Sequence, residues 1–303
     1  MSSLTEPVYQ LSGQLPLARA SLDRAAERRT DAAWLDSAWN DPARGRMLLV
    51  ADGKAPVEDG RLMFAPPEQA ADGERFLLGI DDDGLVYFGV QLPGSHPDPR
   101  AVGLREAGAV LDERDAGLMV HAVALANWHA RHGHCAVCGA PTDVIMAGHA
   151  RRCPVDESEH YPRTDPAVIV LVTDADDRAL LGRGAGWPED RFSTLAGFVE
   201  PGETPEQAVV REVHEEAGID VESCAYAGSQ PWPFPSSLML AYFARADGVE
   251  PRPDGEEIAE ARWFSRDELG AAIESGAIRV PPSISVSRRL IEGWYGGELR
   301  PAP

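Results

Sequence analysis

Lysine and cysteine are the scarce residues of this 303-residue chain. Lys54 is the only lysine, so arginine carries nearly all of the positive charge. The 28 basic residues face 49 acidic ones, a formal net charge of −21. A surface so acidic repels polyanions, which excludes broad binding to nucleic acid or anionic membrane. An anionic substrate must be received locally, by arginines or by bound cations. The four cysteines, Cys135, Cys138, Cys153 and Cys224, are too few and too unevenly spaced for a secreted disulfide framework. No stretch approaches the roughly 20 apolar residues of a membrane span. The opening MSSLTEPVYQLSG lacks the basic flank and apolar run of a secretory signal. These absences predict a cytoplasmic protein with reduced thiols and no membrane partner.

What is present is ordinary for a soluble enzyme: 44% hydrophobic and 25% charged residues. At roughly 150 residues per domain the length suggests about two domains. Residues 1–125 are poor in motifs; Arg61-Leu-Met-Phe and Gly84-Leu-Val-Tyr-Phe-Gly-Val read as strands between turns. From Asp112 to Arg131, Leu118, Ala122, Leu125 and Trp128 recur at helical spacing. A short, loop-rich unit follows over 126–163. A third unit, 164–303, opens on Asp165-Pro-Ala-Val-Ile-Val-Leu-Val-Thr, the continuous apolar run of a buried strand. Further strands are expected at 179–183, 192–199, 238–246 and 261–264. Helices are expected at 205–217, after the S-x-x-E capping box of Ser265 and Glu268, and from Ser283 to about Tyr295. Strands and helices mixed this way predict an α/β sandwich.

Cys135-Ala-Val-Cys138-Gly139 is a knuckle that aims two thiolates and several amides at one point. Fourteen residues on comes Cys153-Pro-Val-Asp156, a second knuckle with aspartate where a fourth cysteine belongs. Three sulfurs at ribbon spacing point to a structural Zn2+ site. Asp156 is one candidate for the fourth ligand, and Glu157, His160 and His149 are also within reach. Cys224 stands alone in an expected strand and reads as core.

The densest signal runs from Gly197 to Ile219. Thr204 is a good N-cap, Pro205 suits the first helical position, Gln207 completes a capping box and Gly218 fits a left-handed C-cap. Glu212, Glu215 and Glu216 stand at i, i+3 and i+4 and share an arc of about 100°. Val209, Val210, Val213 and Ala217 cover the adjacent arc, so the carboxylates border the buried stripe, where a cleft would lie. Glu203 precedes the helix, and Arg211 can pair with it. Oxygen-only ligands clustered in this way suit Mg2+ or Mn2+. Such ions would draw a pyrophosphate into an acidic protein.

The spacing G-x5-E-x7-R-E-V-x-E-E-x-G-I matches the Nudix box at every defined position. Eleven residues later, Ser229-Gln-Pro-Trp-Pro-Phe-Pro-Ser-Ser237 reads as a stiff aromatic loop unable to form an inner strand. It resembles the signature of NADH pyrophosphatases, which also carry a zinc ribbon ahead of the Nudix domain. The resemblance spans about residues 126 to 303. It implies a Nudix α/β/α sandwich with a mixed sheet, preceded by the ribbon and an N-terminal α+β domain. It also implies a homodimer that cleaves NADH, and less well NAD+, to nicotinamide mononucleotide and AMP. Some members remove NAD caps from RNA.

By the same resemblance Glu212, Glu215, Glu216 and Glu257 would be metal ligands. Glu216, or otherwise Glu215 or Glu257, would act on the attacking water. Phe198 and Tyr161 would hold the adenine, and Gln230 would contact substrate. Gly197, Glu203, Arg211 and Gly218 would shape the box. Decapping of RNA at the same site is the alternative activity, and a non-catalytic regulator acting through the ribbon is a reading from another class.

Overall fold

The computed structural model describes residues 9–19, 22–70 and 73–300, and the backbone of residues 3–4. Residues 1, 2 and 5–8, within the segment read for a secretory signal, lie outside the described residues. The chain divides into two compact units. The first comprises residues 1–15, 165–230 and 237–303, and the second comprises 16–164 and 231–236.

In the first unit the apolar run becomes the strand Asp165–Thr173, buried on both sides. Alternation sends Ile169 and Leu171 into one core and Val168, Val170 and Val172 into another. The strand pairs in parallel with Ser237–Ala246 and antiparallel with Ala179–Gly184 and Leu195–Phe198. The seven-stranded mixed sheet is completed by Ser3–Leu4, Val221–Trp232 and Ile258–Phe264. Helix Pro205–Ala217 covers the valine face through Val209, Val213 and Ala217. Helices Arg266–Glu274 and Val286–Tyr295 cover the other face through Leu269, Ile273, Leu290 and Trp294. Covering both faces of one sheet gives the α/β/α sandwich. Cys224 is buried in the valine-side core.

Two local expectations shift. The last helix begins at Val286 rather than Ser283, because Ser285 is its N-cap and accepts the Ser287 N–H at 3.3 Å. The proline-rich motif is half strand: Ser229–Trp232 finish Val221–Trp232, and only residues 233–236 turn into the next strand.

Two of the three three-stranded sheets described in the second unit precede its long helix. One orders Gly45–Val50, Val86–Gln91 and Glu74–Ile80, and the other orders Arg61–Leu62, Lys54–Glu58 and Ala101–Gly103. Helix Glu113–Arg131 is capped by Asp112, whose carboxylate accepts the Asp115 N–H at 2.9 Å. It buries the predicted Leu118, Ala122, Leu125 and Trp128. The small sheet Asp143–Ile145, Ala150–Arg152 and Glu159–His160 carries the second knuckle. A buried polar network ties it to the long helix. The Arg151 guanidinium donates to the Thr142 hydroxyl and carbonyl at 2.8 and 2.7 Å and lies 2.8 Å from His129 Nδ1.

Candidate active site and metal centre

Local chemistry sets the box helix. The Thr204 hydroxyl accepts the Gln207 N–H at 3.3 Å, and the Gln207 carbonyl oxygen accepts the Thr204 N–H at 2.8 Å. At the far end Gly218 takes φ 66°, a left-handed cap that a side chain resists. Arg211 organises the loop ahead of the helix. Its guanidinium grips Glu203 with two hydrogen bonds of 2.9 Å and donates to the Phe198 carbonyl at 2.8 Å. The same side chain reaches Glu212 at 2.9 Å and Glu215 at 3.0 Å. Glu203 also accepts the Glu200 N–H at 3.0 Å, and Arg211 foremost holds its carboxyl below the usual range.

The three box glutamates do not share one environment. Glu212 and Glu216, four residues apart, turn inward and are buried, whereas Glu215 points to solvent. The Glu212 carboxylate lies against Gly197, where an added Cβ would come within 1.8 Å of it. That close approach is the reason for glycine there. Burial, opposed by Arg211, pushes the Glu212 carboxyl up. Burial and then the Glu212 charge push Glu216 up to about 8, against a hydrogen bond from the Ala196 N–H. Glu257 and Asp254 add to that repulsion. Among the described residues the Glu216 Oε2 is buried without a partner.

Glu257 is brought to the box by a turn that sequence reasoning missed. The Asp254 carboxylate accepts the N–H groups of Glu256, Glu257 and Ile258 at 3.3, 3.2 and 2.9 Å. The Asp254-Gly255 pair was its only sequence signal, and an Asx turn is common in any loop. A cluster of carboxylates with an orphaned buried oxygen fits a hard divalent cation.

The predicted substrate contacts divide. Phe198 and Tyr161 are exposed at 57% and 59%, open aromatic faces on the first and second unit respectively. Gln230 departs from the expectation of a substrate contact. It is 0% exposed and donates to the Ile284 carbonyl at 3.0 Å. Alternation along its strand turns that side chain into the protein.

In the second unit the ligand atoms of Cys135, Cys138, Cys153 and Asp156 lie within 4.8 Å of one another. Ser158 fixes the carboxylate, donating its N–H and hydroxyl to Asp156 Oδ1 at 3.0 and 2.5 Å. Oδ2 then lies 3.3 Å from the Cys135 sulfur. The other candidates for a fourth ligand are engaged elsewhere: His149 with the Leu77 carbonyl, His160 with Ser158, and Glu157 with Arg152. Three thiolates and one carboxylate suit tetrahedral zinc.

An α/β/α sandwich bearing this glutamate helix is a Nudix hydrolase, an enzyme acting on a pyrophosphate bond. Residues 163–283 match the NUDIX domain, 130–161 the NADH pyrophosphatase zinc ribbon domain, and 39–128 the NADH pyrophosphatase-like rudimentary NUDIX domain. The chain belongs to the NADH pyrophosphatase family of Nudix hydrolases. The NAD-capped RNA hydrolase NudC of Mycobacterium tuberculosis is 39% identical over 98% of this chain and 100% of its own length. Human NAD-capped RNA hydrolase NUDT12 is 40% identical over 82% of this chain and 56% of its own. A solved Nudix hydrolase from Nitrosomonas europaea aligns with 55% of this chain and 94% of its own, at 23% identity and a TM-score of 0.42. Among the described residues no helix is long and apolar enough to cross a membrane.

Proposed function

We propose that the chain hydrolyses the diphosphate bond of NADH and NAD+, yielding nicotinamide mononucleotide and AMP. The observation that carries this reading is the buried, unpartnered Glu216 oxygen amid the charges of Glu212, Glu257 and Asp254. Glu212, Glu215, Glu216 and Glu257 would hold Mg2+ or Mn2+. Bound there, the cations would neutralise the diphosphate and lower the pKa of a water. Glu216, whose Oε2 has no hydrogen-bond donor among the described residues, would take that water's proton. Arg211 keeps Glu212 and the Phe198 backbone in place. Phe198 offers an open face for the adenine. Cys135, Cys138, Cys153 and Asp156 hold a structural zinc, and the protein acts as a homodimer.

The names of the relatives favour a second substrate for the same chemistry, the NAD cap of an RNA 5′ end. The test is product analysis with NADH, NAD+ and NAD-capped RNA at matched concentration, with Mg2+ or Mn2+. AMP plus reduced nicotinamide mononucleotide is expected from NADH, and 5′-monophosphate RNA from the capped substrate. Loss of both on Glu216→Gln is also expected. No metal-dependent cleavage of any of the three would overturn the proposal. Elemental analysis should find one zinc per chain, reduced in Asp156→Ala.

A further inference from the structure

Within the second unit lies a pocket of about 410 Å3, the size range of small-ligand sites. Its chemistry is unlike that of the protein as a whole. Lys54, the chain's only lysine, lines it together with Arg105 and Arg131, against a single lining carboxylate, Asp52. In a chain of net charge −21 this is a local reversal of sign. Among the described residues neither Lys54 nor Arg131 has a carboxylate in ion-pair reach. Arg105 stacks instead, its guanidinium carbon 4.3 Å from the Phe234 ring centre and 5.2 Å from that of Trp232.

Trp232 ends its strand and Phe234 stands in the proline-rich turn that follows, and the long helix fastens that turn. Asn127 donates to the Pro233 carbonyl at 2.9 Å. Gly53 and Gly103 also line the pocket, and a Cβ at either would meet nothing within 4 Å. The floor is therefore bare backbone with room above it. Cations without internal partners, set beside aromatic rings and a flat stacked guanidinium, make up a site for phosphates and the bases between them. An acidic peptide would require only the cations.

We propose that this pocket binds the phosphodiester chain of a single-stranded RNA. The inference rests on the second reading of function, that capped RNA is a substrate. It also answers how a protein this acidic would hold a polyanion: by one restricted patch.

The test is fluorescence anisotropy of a labelled 5′-monophosphate RNA of about 12 nucleotides, between about 50 and 200 mM salt, without divalent cations. The proteins are wild type, Lys54→Ala/Arg131→Ala and Arg105→Lys. Wild type should bind, and the double variant should bind about 10-fold more weakly. Its slope of log affinity on log salt should flatten by about 1.4, since each single-strand phosphate contact contributes about 0.7. Arg105→Lys keeps the charge and loses the stack, so it should weaken binding with the slope retained. An affinity and slope for the double variant indistinguishable from wild type would overturn the proposal. So would a poly-glutamate peptide that binds as tightly as RNA, or binding of inorganic phosphate alone. NADH turnover of the same preparations is expected to be unchanged. Its absence in wild type would count against the catalytic reading, while the RNA affinities would still decide the pocket.

Discussion

Arg211→Lys tests the physical logic of the box most sharply, because it keeps the charge and removes the fork. The arginine makes a two-bond grip on Glu203, a bond to the Phe198 carbonyl, and contacts with Glu212 and Glu215. A lysine ammonium is a point donor and cannot span these directions at once. It would forfeit the second bond to Glu203 and the bond to Phe198, two charge-assisted hydrogen bonds at a site where both side chains are largely covered. At about 1–1.5 kcal/mol net for each, the expected loss is about 2–3 kcal/mol. That corresponds to a fall of about 5–10 °C in the unfolding midpoint of a unit this size. Freed from its clamp, Glu212 moves off its seat at Gly197. A displacement of about 1 Å in a catalytic site costs on the order of 100-fold in rate. Thermal unfolding and steady-state NADH hydrolysis are the assays, with Glu203→Gln as the other arm of a double-mutant cycle. Stability and kcat/KM of Arg211→Lys both at the wild-type level would refute the argument, and so would strict additivity of the two substitutions.

Three further outcomes follow from the same geometry. Gly197→Ala would place a Cβ within 1.8–2.1 Å of the Glu212 carboxylate, so Mg2+ affinity and kcat should both drop by an order of magnitude or more; an Mg2+ titration of activity reads both, and an unchanged curve would remove the reason given for glycine. Without divalent cations the folded Glu216 carboxyl, at about 8 against an ordinary 4.5, binds more protons than the unfolded chain does across that window. Stability should therefore fall as pH rises from 4.5 to 8, by up to about 1.4 kcal/mol per unit, and Glu216→Gln should flatten the profile in a pH series of unfolding midpoints. In the second unit, burial foremost holds His129 and His149 down to about 4, so between 6.5 and 4 the unfolded chain takes up protons that the fold refuses. The stability from these rings is present above 6.5 and is lost as pH falls toward 4, which hydrogen exchange of the ribbon at pH 5 against pH 7 would detect.

Much of the site was legible in sequence because the signals are local. The bounds of helix Pro205–Ala217 follow from Thr204, Pro205, Gln207 and Gly218, all within one turn of the ends they define. The knuckle of Cys135 and Cys138 and the second one at Cys153 and Asp156 are likewise short segments, and their four ligand atoms gather within 4.8 Å. The apolar run at Asp165–Thr173 reads as a buried strand, and it is one covered on both faces. Its parallel pairing with Ser237–Ala246 was not legible, since register between distant segments depends on what packs above and below them.

Tertiary structure alone decided which of the box carboxylates are buried. On a bare helix Glu212, Glu215 and Glu216 are neighbours of equal standing. Only the strand Leu195–Phe198, passing so close that a Cβ at Gly197 would displace the Glu212 carboxylate, buries Glu212 and Glu216 and leaves Glu215 in solvent. The same holds for Gln230, which a motif reading points at substrate and which strand alternation turns into the core. Asp254, which presents Glu257, and the cationic pocket of Lys54, Arg105 and Arg131 were equally hidden, for they join residues far apart in the chain. Spacing along the chain can specify caps, knuckles and a metal-ligand pattern, because those are set within a few residues. Burial, desolvation and the company each charge keeps are properties of the folded surroundings, and they were settled only when the sheet closed over the helix.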